Sequence, residues 1–341
     1  MSAVSLGLLA ALASMLLTWL VIEYAQRAQM HDAPGARRMH QRLTVRGAGL
    51  GFVVTVIAFW AGFGAALGFS NSLGRWALCS AAGVSLVAAI SWIDDRRGLP
   101  VWPRLLAHCL AAACVTFGAL PGLSANWPLF VVGAVPVLLL LPAINFWNFV
   151  DGVNGFAATQ AIVVCFGLAL LAWFAGDVPA TWFAAVATGA VGGFLPYNFP
   201  KARAFMGDVG SASLGLMVGA LALMPVAGTR GALPAALLLI AVVFLDAGLT
   251  LLWRMIRRPP RRWYTGHREH LYQWLTRCGW GHTRTTLTYL MASVALAALV
   301  VFIGLQRWDL MLIATISTYL VGIVVWRMGR DYALRHARRQ V

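Results

Sequence analysis

The sequence predicts an all-α, polytopic integral membrane protein of about eleven transmembrane helices, with its N-terminus outside and its C-terminus in the cytoplasm. Three observations predict it. Of 341 residues 60% are apolar and only 11% charged, against about 45–50% and about 25% in a soluble globular chain. Apolar runs of roughly 16 to 23 residues, each near the length that crosses a bilayer as a helix, recur along the chain. The basic residues fall almost entirely on alternate connections between those runs.

The runs lie near 3–22, 47–69, 76–93, 104–120, 129–147, 157–175, 181–198, 212–227, 233–253, 285–305 and 310–326. They consume most of the chain, so residues 1–341 read as one membrane domain with functional loops on its cytoplasmic face, and no room remains for a sizeable soluble domain. The first run lacks a basic leader and a small-residue cleavage site. It is therefore expected to be a retained helix, with the mature chain starting at or near Met1.

The formal charge of +15 allows a nucleic-acid, anionic-lipid or anionic-substrate partner, and its placement decides among them. Odd-numbered connections and the tail hold 23 of the 26 Lys and Arg residues, and the even ones hold only Arg75, Arg230 and Arg307. By the positive-inside rule the odd connections are cytoplasmic. The excess is thus mainly topological, and without a DNA- or RNA-binding motif nucleic acid is excluded as the partner. The five cysteines show no CxxC spacing, and four lie inside apolar runs, so neither disulfides nor a thiolate zinc site is expected.

Carboxylates beside a bilayer are costly and usually have a task. Of the eleven acidic residues, Asp94 and Asp95 fall in the third connection, Asp151 in the fifth, Asp208 in the seventh and Glu269 in the ninth, all on the predicted inner face. Asp177, Asp309, Glu23, Asp32 and Asp331 read as solvated or Arg-paired surface residues.

Four connections carry the chemistry. SWIDDRRGLP joins two carboxylates, which could share a hard cation with phosphate oxygens or simply cap a helix beside Arg96 and Arg97. In NFWNFVDGVNG the residues Asn145, Asn148, Asp151 and Asn154 recur every three positions, a polar ridge in a helical turn suited to the edge of a base or sugar. FMGDVGSASLG sets Asp208 before Ser211 and Ser213 at a helix start, where free N–H groups hold phosphate and an Asp holds its metal; Phe205 offers an aromatic face to a base. HREH in the ninth connection supplies His267, Arg268 and His270 as donors to a pyrophosphate; HxxH alone is weak grounds for zinc. A basic amphipathic surface on anionic headgroups is the competing reading there.

VRGAGLGF at the end of the first loop imitates a dinucleotide fingerprint, but no strand precedes it and a membrane helix follows, so a Rossmann reading fails. Arg46 within it is a candidate for an anionic substrate. Asp246, about eight residues from the end of the ninth span, should face the bundle. His108 reads as an interior histidine.

Taken in order, VRGAGL, WIDDRRGLP, NFWNFVDGVNG, FMGDVGSASLG and HREHLYQ resemble the motifs of the polyprenyl-phosphate N-acetylhexosamine-1-phosphate transferases, the superfamily that includes the phospho-N-acetylmuramoyl-pentapeptide transferases. The likeness spans the whole chain. FLDAGLTLLWR followed by RRWYTGHREHLYQ is similar to an O-antigen branch handling N-acetylated 6-deoxyhexosamines. The resemblance implies a bacterial inner-membrane enzyme in which undecaprenyl phosphate attacks the β-phosphate of a UDP-N-acetylhexosamine, with UDP-N-acetylfucosamine or UDP-N-acetylquinovosamine as named candidates, yielding the lipid-linked diphospho-sugar and UMP. It implies Mg²⁺, with Mn²⁺ as its substitute, held by Asp208 and Asp95. Asp94 or Asp95 would deprotonate or position the lipid phosphate, and Phe205 would stack on uracil. Asn148, Asp151 and Asn154 would line the nucleotide pocket, Arg46 would bind the anionic substrate, and His267, Arg268 and His270 would grip the diphosphate. The family commonly has Asp where Asn154 stands, so no charge is expected there. Membrane lipid is an implied partner and a homodimer an assembly open to such a bundle. A peptidoglycan-branch transferase is the near alternative. A secondary transporter is the distant one, disfavoured because the carboxylates gather at one face instead of mid-membrane.

Overall fold

Long apolar stretches wind into helices because every backbone group must be satisfied without water. In this computed structural model the described residues are 1–28, 31–32, 44–123, 129–224, 231–259 and 267–337, and the chain is almost all helical (84%). The helices are α1 Ala3–Arg27, α2 Leu50–Leu67, α3 Ser72–Arg97, α4 Val101–Leu123, α5 Leu129–Val150, α6 Phe156–Phe174 and α7 Val178–Asn198. They continue as α8 Gly207–Ala222, α9 Ala232–Leu239, α10 Ala241–Arg257, α11 Leu271–Leu275, α12 Gly281–Ile303 and α13 Trp308–Ala337. Among the described residues the departures from all-α are a two-residue antiparallel ladder in the first loop, β1 His31–Asp32 with β2 Thr44–Val45, a single parallel bridge and a π-helical turn at Thr276–Trp280.

Among the described residues eight helices are long and apolar enough to cross a membrane, against the eleven spans expected. The difference has local causes. The expected ninth span is broken into α9 and α10, bent by 69°, and α8, which ends at Ala222, has only 16 residues although it starts at Gly207, five before the apolar run. Helix α5 carries Pro136 and Pro142 internally. Helices α3 and α13 run further than the apolar pattern, so Asp94 and Asp95 lie in the last turn of α3 and not in a loop.

Helix α8 is the hub. It is buried along nearly its whole length and packs against α3 and α5. Small residues let it in: a Cβ on Gly49 would come within 2.6 Å of the Gly210 Cα. The outward faces are apolar, with Leu8, Leu12, Phe302, Ile313 and Val321 all well exposed. A water-facing surface would bury these side chains, whereas lipid solvates them.

Candidate active site

Two loops distant in sequence are stitched together to build the site. Val45 pairs in parallel with Ala204; Phe205 N donates to Val45 O (2.8 Å), Ala48 N to Phe205 O (3.0 Å) and Gly49 N to Met206 O (3.2 Å). This short backbone zipper holds the first loop against the start of α8 and brings Arg46 to Asp208. Arg46 Nη2 lies 2.7 Å from Asp95 Oδ1 and 3.1 Å from Asp208 Oδ1. Gly207 adopts φ +70°, and a Cβ there would come within 2.9 Å of the Asp95 carboxylate. Only glycine lets Asp95 approach this helix start, where Val209 N donates to its Oδ2 at 3.4 Å.

The adjacent carboxylates are divided in task. Asp94 accepts from Leu99 N (2.6 Å) and pairs with Arg104 Nη1 (2.8 Å), which closes the end of α3 onto α4. Asp95 points to Arg46 and Asp208. The helix-cap reading therefore holds for Asp94, while Asp95 belongs to the cluster. Arg104, Asp208 and Asp94 lie within electrostatic reach of His108.

Asp151 sits in the turn after α5, half-buried. Its carboxyl is pushed well above the ordinary carboxylate range, first by loss of solvent and then by the charges of Asp208 and Asp95, with Arg46 opposing. The expected ridge is not one continuous face. Asn145 Nδ2 donates to Leu141 O in its own helix (2.7 Å). Asn148 Nδ2 donates to Ser211 Oγ on α8 (3.0 Å). Helix α5 ends at Val150, and Asn154 is turned to other work: its Oδ1 contacts His282 Nδ1 (3.1 Å), its Nδ2 donates to Pro200 O (3.1 Å), and its carbonyl accepts from Thr286 (2.8 Å). The side-chain amide contacts α12 through its oxygen and donates to the segment after α7, and a carboxylate could not supply that donor. Phe205 is half-buried beside the zipper.

The HREH segment is held from α10. Glu269 pairs with Arg254 (2.8 Å) and Arg258 (2.6 Å); burial works against its charge, but the two guanidiniums outweigh that and hold its carboxyl below the usual value. His270 is buried, caps α11 together with Gln273, and stacks on His267 and Tyr272. His267 is pushed down to about 4 by burial, aided by His270 and Arg254, so it is a neutral imidazole at pH 7. Among the described residues Arg268 Nε and Nη2 are shielded and have no hydrogen-bond acceptor. Among the described residues no hydrogen bond or ion pair joins His267, Arg268 or His270 directly to Asp95 or Asp208. The segment instead meets the site through Tyr272, whose hydroxyl donates to Phe149 O (2.8 Å) two residues before Asp151. Position 266 of the ninth connection lies outside the described residues.

Two acidic side chains and one arginine, drawn from three segments, thus meet at one end of the bundle, with Asp151 within electrostatic reach. The sequence pattern of glycosyl transferase family 4 matches residues 77–226, which include Asp94, Asp95, Asp151 and Asp208. A decaprenyl-phosphate N-acetylglucosaminephosphotransferase of Mycobacterium leprae is 33% identical over 315 residues, covering 82% of this chain and 78% of its own. The chain belongs to glycosyl transferase family 4. A protein of the same name from Mycobacterium tuberculosis is 32% identical over 82% of this chain and 77% of its own. A phospho-N-acetylmuramoyl-pentapeptide-transferase of Shouchella clausii is 30% identical over 69% of this chain and 66% of its own.

For a member of this family, several positions that build the site carry no mark in the sequence. Arg104 follows Asp94 by ten residues with two prolines between them. Asn198 is buried and bridges Gly155 N (2.8 Å) to Ala204 O (2.9 Å), tying the Asp151 turn to the zipper. Ser211 was legible only as a helix-start hydroxyl. Among the described residues no three His, Cys, Asp or Glu side chains form a metal cage. Asp95 and Asp208, however, both place an Oδ1 on one cationic nitrogen, which is the arrangement a small cation would also take from two carboxylates.

Proposed function

We propose that the protein transfers an N-acetylhexosamine-1-phosphate from a UDP-sugar to undecaprenyl phosphate, releasing UMP, on the cytoplasmic face of a bacterial inner membrane. The observation that carries this reading is the convergence of Asp95 and Asp208 on Arg46, with Asp151 within electrostatic reach. An uncompensated group of carboxylates beside a guanidinium suits a reaction whose reactants are phosphates and a cation.

The reaction exchanges one phosphoanhydride for another. A lipid-phosphate oxygen forms a bond to the β-phosphorus while the bond from that phosphorus to the bridging oxygen breaks, and UMP keeps the bridging oxygen. Little acid strength is needed; charge neutralisation and in-line placement dominate. Asp95 and Asp208 are the residues that would hold Mg²⁺, or Mn²⁺ in its place, since such sites use one or two carboxylates and complete their shell with phosphates and water. When bound, the ion supplies charge neutralisation on the phosphate oxygens. Arg46, released from part of its pairing, forks onto a phosphate. Any proton on the attacking lipid phosphate passes to a carboxylate of the cluster, and Asp95 is the better placed because Asp94 is occupied by Arg104 and Leu99 N. Asp151 and Asn148 face the donor nucleotide, Phe205 stacks on uracil, and the unpaired donors of Arg268 take a diphosphate oxygen.

Radiolabelled UDP-N-acetylglucosamine, incubated with purified protein and undecaprenyl phosphate, should give a lipid-extractable sugar phosphate and stoichiometric UMP. Retention of label in the nucleotide across a panel that includes the 6-deoxy donors would overturn the reading. Production of a lipid-linked 6-deoxy sugar in that panel would support the O-antigen branch.

A further inference from the structure

We propose that Asp246 is a positioning residue that clamps the N-terminus of α11 and so sets the His267–His270 segment against the turn carrying Asp151. The inference rests on the reading of that segment as a phosphate-binding part of the transferase. Asp246 is 2% exposed, and a carboxylate so buried is costly unless its lone pairs are used. They are used. Oδ1 accepts from Leu271 N (2.8 Å), and Oδ2 accepts from Tyr272 N (3.0 Å) and from the Tyr289 hydroxyl (2.8 Å). His270 Nδ1 stands 3.7 Å from Oδ1.

The first N–H groups of a helix have no partner within it, and a helix of five residues has little stability of its own. Asp246 satisfies two of those groups in α11 from a different helix, α10, while Tyr289 brings in α12. Its effect then extends one residue further. Tyr272, held by its backbone at Asp246, spans to the Asp151 turn by donating to Phe149 O (2.8 Å) and stacks on Phe156 (5.1 Å between centroids). Arg254, two turns along the same buried face of α10, latches Glu269 within the HREH segment. One helix therefore fixes the segment on both sides of His270. Asp246 touches none of the groups proposed to hold the metal or the reacting phosphates, so its influence on the reaction runs through the backbone of residues 271–272 and through His270, whose Nδ1 lies 3.7 Å away.

The test uses the full chain in lipid nanodiscs, with Asp246→Asn and Tyr289→Phe. The amide keeps the size of the carboxylate but turns an N–H₂ toward a backbone donor. Hydrogen exchange across 268–273 should rise about tenfold or more in Asp246→Asn. The kcat for transfer from UDP-N-acetylglucosamine should fall about 10- to 100-fold, with KM changed less, as for a misplaced reacting group. Tyr289→Phe, which removes one of the three bonds, should move both readouts in the same direction by a smaller factor. Unchanged exchange at 271–272 in Asp246→Asn overturns the clamp. Raised exchange with wild-type kcat overturns the positioning role, as does a loss of rate that only follows the loss of folded protein. Should Asp246→Asn fail to fold, Tyr289→Phe decides by the same two readouts. Failure of the wild-type protein to transfer sugar phosphate from any donor would instead sink the functional reading, and exchange alone would still judge the clamp.

Discussion

Arg46 is the cation that the carboxylate cluster already holds, so removing it should expose how strongly the cluster wants another. Two opposite charges about 4 Å apart attract by roughly 4 kcal/mol at an effective dielectric of about 20. The pair with Asp95 is the better shielded, that carboxylate being 9% exposed, whereas Asp208 and Arg46 are 31% and 33% exposed. Solvent screening reduces the Asp208 pair to about 1 kcal/mol or less. Breaking a fully buried pair costs about 3–5 kcal/mol, so a partly buried one scales to roughly 2–3 kcal/mol for Arg46→Met. Thermal unfolding in detergent is the assay, run in chelator and across a Mg²⁺ titration. In chelator Arg46→Met should unfold at lower temperature than wild type. With Mg²⁺ it should regain more stability than wild type gains, since two free carboxylates then meet the ion. Arg46→Lys should fall between, because an ammonium cannot fork to two carboxylates in the same way. Equal Mg²⁺ responses in wild type and Arg46→Met would refute the idea that guanidinium and metal address the same oxygens.

Asp208→Asn should reduce transfer to background while leaving expression and thermal unfolding in chelator near wild type, because the amide keeps volume but removes charge; wild-type transfer at ordinary Mg²⁺ would remove Asp208 from the metal role. Asp94→Asn and Asp95→Asn should differ: the first retains an acceptor for Leu99 N, loses the Arg104 pair and lowers stability by about 1–2 kcal/mol with a modest loss of rate, and the second loses most of kcat, so equal kinetic defects would contradict the division seen here. The pH dependence has a defined sign. With His267 lowered to about 4 in the folded chain, the unfolded chain binds an extra proton between about pH 6.5 and pH 4, and stability falls as pH drops through that window. Glu269, held low by Arg258 and Arg254, adds a loss in the same direction once pH falls below its ordinary range. His267→Gln should flatten the upper part of the decline; an unchanged slope would show that His267 does not titrate this way.

What the sequence made legible was the set of costly residues. A carboxylate at the edge of a membrane helix stands out against a chain in which only 11% of residues are charged, and Asp95, Asp151 and Asp208 are each visible on that ground, whereas Arg46 is one of many arginines on the same predicted face. Their partners were not, because partner choice is made by tertiary geometry. Nothing in DDRR says which Asp turns to Arg104 and which to Arg46; that follows from the roughly 100° between adjacent side chains and from where α4 lies. Asn154 fits a three-residue ridge on paper, yet it bonds His282 across a separation of 128 residues because α5 has already ended. The break between α9 and α10 falls at Ile240, where neither proline nor glycine marks a bend. It matters for the site, because α10 then sets out in a new direction with Asp246, Thr250 and Arg254 on its buried face. An unbroken span would be read as carrying one stray buried Asp. The bent one carries a spine of polar anchors, and the HREH segment docks along it. The hidden feature of this sequence is thus a change of direction in an apolar helix, and the polar residues that depend on it acquire their meaning only after the bend is known.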